Sequence, residues 1–153
     1  MKELMENSTN VKFKLISISN EYTSVIPDGI DLSTITDVSL QFQYKIGTVI
    51  KLADHSITVV PRIRYCIGET IVFEANAEFN YSVSPLDTVM DVDLDNKKLN
   101  MKVNLFPTLV GAAYSSLRGI VYARTLSTPL EKYPLPLIDI DTLLSKNGIS
   151  VLK

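Results

Sequence analysis

The sequence predicts an α+β fold in which a four-stranded antiparallel sheet precedes a long helix, a proline-rich loop and a short C-terminal helix. Three observations predict it. Segments within residues 11–84 alternate apolar and polar residues, residues 104–126 space apolar residues as a helix does, and prolines interrupt residues 129–136. The chain has 153 residues, enough for one domain with a real core. We therefore expect residues 1–153 to form a single domain.

Composition limits the classes of function. The formal net charge is −2, so no basic surface indicates a nucleic-acid partner, and 46% hydrophobic residues are too many for a disordered chain. The single cysteine, Cys66, excludes an internal disulfide and is typical of a reducing compartment. The opening MKELMENSTN lacks the apolar run of a secretory signal, and no segment is long enough for direct membrane insertion. These features predict a cytoplasmic protein.

The first predicted strand, VKFKLISIS at residues 11–19, is apolar on both faces. Val11, Phe13 and Leu15 form one apolar face and alternate with Lys12 and Lys14. At Ile16 and Ile18 the pattern gains a second apolar face. Such a strand must be covered on both faces or paired with something outside the chain.

A crossover loop and two more strands follow. Residues 27–37 have the composition of a loop but also carry Ile30, Leu32 and Ile35. Residues 40–46 alternate cleanly, with Phe42 and Tyr44 on the apolar face. Residues 56–67 do the same, but Pro61 interrupts them and predicts a bulge or an unpaired edge position there.

The fourth strand has the clearest pattern. Every odd residue from Ile71 to Val83 is apolar, while Glu74 and Glu78 lie on the polar face. The apolar faces of strands three and four match only if an odd number of residues connects them, which a loop at residues 67–69 satisfies with Gly68 at positive φ. This register places Arg62 opposite Glu74.

The helix lacks an ordinary charged side. Its apolar arc should cover the sheet, whereas the opposite side is a small-residue strip, which consists of Thr108, Gly111, Ala112, Ser115 and Gly119. Each interior glycine costs about 1 kcal/mol relative to alanine, a cost that close helix packing could offset. The strip could face another part of the same chain. Because the sequence predicts no second long helix, we expect a second copy instead, and hence a homo-oligomer.

The segment after the helix is a proline strip, defined here as residues 129–138, with exposed backbone and many apolar side chains. Together with FKLISIS, ETIVFEANAEFNYSV and LFPTLVGAAYSSLRGIVYARTLSTPLEKYPLPLIDIDTLL, it resembles the SecB family of protein-export chaperones in order and spacing. The resemblance covers almost the whole chain. It implies an α+β subunit that assembles as a tetramer, a dimer of dimers, in which first strands pair between subunits and long helices pack centrally.

The resemblance also implies a function. Family members bind unfolded polypeptides or preproteins without ATP or any other cofactor and deliver them to the motor ATPase SecA. Their groove lies between the crossover loop and the C-terminal loop and short helix. On this chain the resemblance places that short helix around Leu143 and Leu144, with Asp139 or Asp141 near its N-cap. On this chain the groove would comprise Ile30, Leu32, Ile35, Phe42, Tyr44, Leu130, Tyr133, Leu135, Leu137 and Leu143; Ile138 and Leu144 fit better as residues that pin the segment to the sheet. The oligomer interface would comprise Phe13, Ile16, Ile18, Thr108, Gly111, Ala112, Ser115 and Gly119, with Glu21, Glu74 and Glu78 available for motor docking.

The chain departs from the family pattern at two places. Tyr22, Thr23, Ser24 and Val25 replace acidic positions after Glu21, and the tail GISVLK is not acidic. An adaptor for one specific partner, such as a toxin–antitoxin component, is therefore the alternative to an export chaperone, and the choice between dimer and tetramer stays open.

Catalytic and metal motifs have little support in the sequence. His55 has no Ser or Cys motif around it, Cys66 has no second thiol, and phosphate-binding glycine loops are absent. Asp91, Asp93 and Asp95 alternate as in a calcium loop but lack its glycine and glutamate. We predict a protein that is not an enzyme and binds no metal; a small-molecule enzyme is the third hypothesis.

Overall fold

The computed structural model describes residues 12–27, 36, 39–84, 90–93, 95, 98–101, 106–140 and 149–152. In chain order its elements are β1 (Lys12–Thr23), β2 (Leu40–Lys51), β3 (Ser56–Ile67), β4 (Thr70–Ser84), β5 (Met90–Asp93), β6 (Lys98–Met101), α1 (Phe106–Thr125), a 3₁₀ turn (Pro129–Lys132) and β7 (Ile149–Leu152). The predicted α+β class is confirmed, because four antiparallel strands precede one long helix and a short 3₁₀ turn. The predicted C-terminal helix around Leu143 lies outside the described residues.

The main sheet has the strand order β1-β4-β3-β2-β7. Strands β1 to β4 pair antiparallel, whereas β7 runs parallel to β2 and covers only its Thr48–Lys51 end. Strands β5 and β6 form a separate two-stranded sheet. The sequence did not predict the three short strands, since four-residue segments carry too little periodicity to be recognised.

Helix α1 covers one face of the main sheet and packs against β3 and β4. The alternation of β4 puts its odd residues under the helix, and Phe73, Ala75, Ala77, Phe79 and Val83 are all buried. The helix contributes Phe106, Leu109, Val110, Ala113, Tyr114, Leu117 and Val121 to the same core. The predicted apolar arc is therefore the buried face, and Tyr114 is an addition to it.

The connection between β3 and β4 corrects the predicted register. The turn has only two residues, with Gly68 at a φ of 60°, and an irregularity between Tyr65 and Cys66 supplies the extra residue. The apolar faces still match, but Glu74 pairs with Arg64 and not with Arg62, which lies opposite Asn76. The sequence predicts the extra residue in the loop, whereas in the structure it lies in a bulge between the two strands.

The prediction of a bulge or an unpaired edge position at Pro61 is wrong about the bulge and the edge, but Pro61 is unpaired on its β4 side. Strand β3 lies inside the sheet, and Pro61 is buried and pairs with Ile46 of β2 in unbroken register. On the β4 side, the paired positions run from Val59 to Arg62 without Pro61 between them. Proline has no N–H to donate. Pro61 stands at the gap in the pairing with β4, where the ladder needs no donor from it.

Strand β1 is an edge strand with many exposed apolar side chains. Phe13 is 48% exposed and Ile16 is 61% exposed, and Leu15, Ile18 and Tyr22 also lie open. Two register shifts interrupt its pairing with β4, and Asn20 adopts a φ of 50° at the second. The first shift, at Ile16, places Ile18 opposite Phe79 and so on the same face as Phe13 and Leu15, which means that the predicted second apolar face of Ile16 and Ile18 is wrong. Within the described residues β1 keeps an open edge with exposed apolar side chains.

Candidate functional site

The proline strip is fixed to the domain by side chains that bind its backbone carbonyl groups. The Tyr65 hydroxyl donates to the Tyr133 carbonyl at 2.9 Å, and the Tyr114 hydroxyl donates to the Pro136 carbonyl at 3.0 Å. Arg118 Nε donates to the Leu135 carbonyl at 3.1 Å. Prolines cannot hold a strand in a ladder, so these three donors, from the sheet and the helix, replace the missing ladder.

A capped turn connects α1 to the strip. The Thr128 hydroxyl accepts the Leu130 N–H at 3.2 Å and donates to the Thr125 carbonyl at 2.7 Å. Thr128 is the N-cap of the 3₁₀ turn, whose Pro129 suits a first position. The turn directs Leu130 inward.

Two predicted groove residues are corrected. Leu130 is 0% exposed and Leu135 is 3% exposed, and both belong to the core. The hydrogen bond from Arg118 to the Leu135 carbonyl draws the strip onto the domain and leaves the Leu135 side chain inside. Leu137, in contrast, is 83% exposed, and Ile138 is partly buried against the core, as a pinning residue would be.

The structure brings two other predicted groove residues together. Phe42 and Tyr133 line a concavity of about 260 Å³ with Leu40, Lys132 and Pro134. The Phe42 ring meets the edge of Tyr65 at a centroid distance of 4.9 Å, so its position is set by the core. Tyr44 instead approaches Tyr114 at 6.1 Å and is partly buried beneath the helix. The concavity is shallow and apolar with one cationic residue at its rim.

The rest of the predicted groove falls in two other segments of the chain. Ile30, Leu32 and Ile35 of the crossover loop lie outside the described residues. So do Leu143, Leu144 and Asp141 of the predicted short helix. The described part of the candidate site is therefore the Phe42–Tyr133 concavity and the exposed Leu137, which follows the lining residue Pro134 by three positions on the same strip.

The residues predicted for the oligomer interface are accessible in the single chain. Thr108, Ala112, Ser115 and Gly119 are exposed on α1. A Cβ added at Gly119 would meet nothing within 4 Å, whereas one at Gly111 would lie 4.0 Å from Ile140. Most of the small-residue strip thus has open space above it, with Tyr122 and Leu126 exposed towards its C-terminal end.

Each acid predicted for motor docking already has a partner within the subunit. Glu21 accepts from Arg124 at 3.1 Å, and Glu74 pairs with Arg64 Nε at 3.2 Å. Glu78 accepts hydrogen bonds from Asn20 at 2.8 Å and Ser19 at 3.3 Å. These contacts join β1 to α1, β3 to β4 and β1 to β4, so the carboxylates have a structural role.

The pKa values of the two tyrosines that bind the strip are raised. Burial first, and then the neighbouring Tyr114 and Tyr44, raise the pKa of Tyr65. Burial and Tyr44 likewise raise the pKa of Tyr114, while Arg118 acts in the opposite direction. Both hydroxyls therefore stay protonated at neutral pH, as donation to the strip requires.

Features for catalysis are sparse in the described residues. His55 is exposed at a φ of 49° and uses its backbone carbonyl to accept the Val83 N–H at 2.8 Å. Cys66 is buried with a free thiol. Among the described residues, no group of three or more His, Cys, Asp or Glu side chains could hold a metal ion.

The solvent face of the sheet carries a cluster that the sequence did not reveal. Register places Lys45 directly opposite Arg62, and Gln43 opposite Arg64, which pairs onward with Glu74. These residues surround a concavity of about 240 Å³. The alternation of β2 and β3 already puts these polar residues on one face. Only the pairing register shows that Lys45 lies opposite Arg62.

Comparison with known proteins adds no family assignment. No family model matches the chain, and no curated protein matches it significantly. Among the described residues, no helix combines the length and the apolar character needed to cross a membrane.

Proposed function

We propose that the chain is an ATP-independent holdase that binds unfolded polypeptides, among them preproteins kept competent for export. The observation that carries this proposal is the exposure of Leu137 on the proline strip, the segment that also lines the Phe42–Tyr133 concavity and whose backbone is fixed by three hydrogen bonds. A rigid backbone with exposed apolar side chains can bind a client without first losing conformational entropy of its own.

The chemistry of the surface suits an unfolded client. Non-native chains expose apolar side chains, and burying one of them fully contributes about 1.5–3 kcal/mol. A shallow, mostly apolar concavity offers no precise set of polar contacts, so it selects for apolar character and not for one sequence. The resemblance to the SecB family, drawn from the sequence, points to the same class of ligand.

Assembly as a homo-oligomer, a dimer of dimers, belongs to the same proposal. The open edge of β1 and its exposed apolar side chains support strand pairing between subunits. The uncovered small-residue strip of α1 supports close helix packing between them. Buried, unpaired Cys66 supports a reducing, cytoplasmic location for the assembly.

An adaptor for one specific partner, such as a toxin–antitoxin component, is the second candidate. The observation that favours it is the internal pairing of Glu21, Glu74 and Glu78, which leaves less charge for docking to SecA. A holdase and an adaptor would use the same apolar concavity, but only the holdase would protect unrelated clients.

The test measures binding of a fluorescently labelled, permanently unfolded polypeptide and the suppression of aggregation for several unrelated unfolded proteins. Leu137→Ser should weaken client binding by about tenfold, which corresponds to about 1.4 kcal/mol. Leu137→Met is the matched control, because it retains apolar area at the same exposed position, and it should bind as the unmodified protein does. ATP should leave binding unchanged.

Three outcomes would contradict the proposal. If Leu137→Ser binds clients normally while its oligomer mass and thermal stability are unchanged, the exposed side chain of the proline strip is not part of a client site. If the protein protects none of the unfolded clients, it is not a holdase. Protection confined to one folded or unfolded partner would favour the adaptor.

A further inference from the structure

The solvent face of the sheet, opposite α1, carries three cationic side chains close together. Lys45 and Arg62 are cross-strand partners, and Arg64 follows Arg62 on the same face. Directly opposite residues have Cβ atoms about 4.5–5.5 Å apart, and residues i and i+2 of one strand lie about 6.5–7 Å apart. All three side chains are exposed around the concavity of about 240 Å³.

Only one of the three cations is neutralised within the described part of the chain. Arg64 pairs with Glu74 through Nε at 3.2 Å, whereas Lys45 and Arg62 have no ion pair there. Glu78 lies further along β4 and accepts from Asn20 and Ser19. Like charges directly opposite each other destabilise a sheet, so this pair weakens the fold unless an anion binds between them.

We propose that Lys45, Arg62 and Arg64 form a binding site for an extended acidic peptide. The Lys45–Arg62 row and the Gln43–Arg64 row are one i, i+2 step apart. An extended peptide spaces alternate side chains by the same step, so two carboxylates at i and i+2 can face the two rows together. Gln43 adds a neutral donor beside Arg64.

The surrounding charges favour a peptide over a nucleic acid. Glu74 and Glu78 lie on β4, the strand next to the cluster, and the chain as a whole has a formal net charge of −2. A polyanion needs a continuous basic track, which these carboxylates interrupt. A short peptide along β2 and β3 avoids β4.

The site is separate from the apolar concavity in position and in chemistry. The Phe42 and Tyr133 side chains belong to the face that α1 covers, whereas Lys45 and Arg62 belong to the opposite face. Binding to the cationic site should therefore depend strongly on salt, while client binding at Leu137 should not.

The test uses a short labelled peptide of alternating serine and aspartate, measured by fluorescence anisotropy at low salt. Lys45→Gln together with Arg62→Gln should weaken its binding by roughly tenfold, since exposed ion pairs are each worth up to about a factor of five. Lys12→Gln together with Lys14→Gln is the matched control. It removes the same charge from the same face of the sheet, opposite Ser84 and Ser82, and should change affinity by less than about twofold.

Two further variants sharpen the result. Glu74→Gln removes the partner of Arg64 and should tighten peptide binding. The same peptide with asparagine in place of aspartate should not bind measurably. Raising the salt from about 50 to about 300 mM should reduce binding of the aspartate peptide severalfold.

Some results would overturn the proposal. Equal loss in the two double variants would show a response to net charge alone. Equal binding of the asparagine peptide would remove the role of the carboxylates. Tighter binding of a single-stranded oligonucleotide through the same residues, or displacement of the peptide by inorganic phosphate at equal concentration, would assign the site to a phosphate ligand.

Discussion

The Tyr65 hydroxyl on β3 donates a hydrogen bond of 2.9 Å to the backbone carbonyl of Tyr133, 68 residues later in the chain. This contact joins the centre of the sheet to the proline strip. The Tyr65 ring is 0% exposed and lies between the rings of Phe42 and Phe73, at centroid distances of 4.9 and 5.8 Å. One residue therefore orients both a side chain and a backbone group of the concavity.

Tyr65→Phe should lower the free energy of unfolding by about 1 kcal/mol, because it removes one hydrogen bond and keeps the aromatic packing. Chemical denaturation measures this loss. Tyr122→Phe is the matched control, since Tyr122 is 54% exposed and should tolerate the change without a measurable effect. If both variants have the same stability as the unmodified protein, the Tyr65 hydroxyl does not anchor the strip.

The same tyrosines predict a loss of stability at high pH. Burial raises the pKa of Tyr65 and of Tyr114 above the ordinary value of about 10, so the folded state keeps protons that the unfolded state releases. The stabilising effect is fully present below pH 10 and is lost as the pH rises above it. Unfolding measured from about pH 8 to 11 should therefore show a stability that these tyrosines leave unchanged up to about pH 10 and lower above it.

The double variant Tyr65→Phe, Tyr114→Phe tests the assignment of that fall. It should be less stable than the unmodified protein at neutral pH but should lose less stability between about pH 10 and 11. An unchanged slope would show that other groups, such as Tyr44 and Tyr81, whose pKa burial also raises, produce the whole effect.

Leu135 and Leu137 lie two residues apart in opposite environments. Leu135→Ala should lower the free energy of unfolding by about 2–5 kcal/mol, because Leu135 is 3% exposed and the change leaves a cavity. Leu137→Ala should change it by less than about 0.5 kcal/mol, because Leu137 is 83% exposed. Thermal or denaturant unfolding of the two variants decides the comparison. Similar losses in both would mean that the strip is packed differently.

The sheet and the helix could be predicted from the sequence because their periodicity is local. Alternation on β4 and helical spacing on α1 each extend over many residues, so small irregularities do not hide them. The short strands β5, β6 and β7 lack that length. The bulge at Tyr65 and Cys66 could not be told from a longer loop, since both give the same parity of faces.

The candidate site could be predicted only in part. Composition indicated which residues are apolar on the proline strip, but it could not separate buried Leu130 and Leu135 from exposed Leu137. That choice depends on Tyr65, Tyr114 and Arg118, which reach the strip from distant positions in the chain. Side-chain hydrogen bonds to irregular backbone leave no periodic pattern in a sequence.

Gly119 tests whether α1 packs against a second copy. In the single chain a Cβ at this position meets nothing within 4 Å, so Gly119→Leu should leave the subunit folded. Where two helices approach closely, however, the same leucine adds bulk that a well-packed contact cannot absorb, at a cost of about 1–3 kcal/mol per site. A symmetric interface incurs that cost twice. We therefore expect Gly119→Leu to lower the oligomer mass, measured by light scattering, while circular dichroism stays unchanged.

Glu69→Leu places a new leucine in the exposed β3–β4 turn and controls for added surface hydrophobicity. An unchanged mass for Gly119→Leu would show that the small-residue strip does not hold the subunits together.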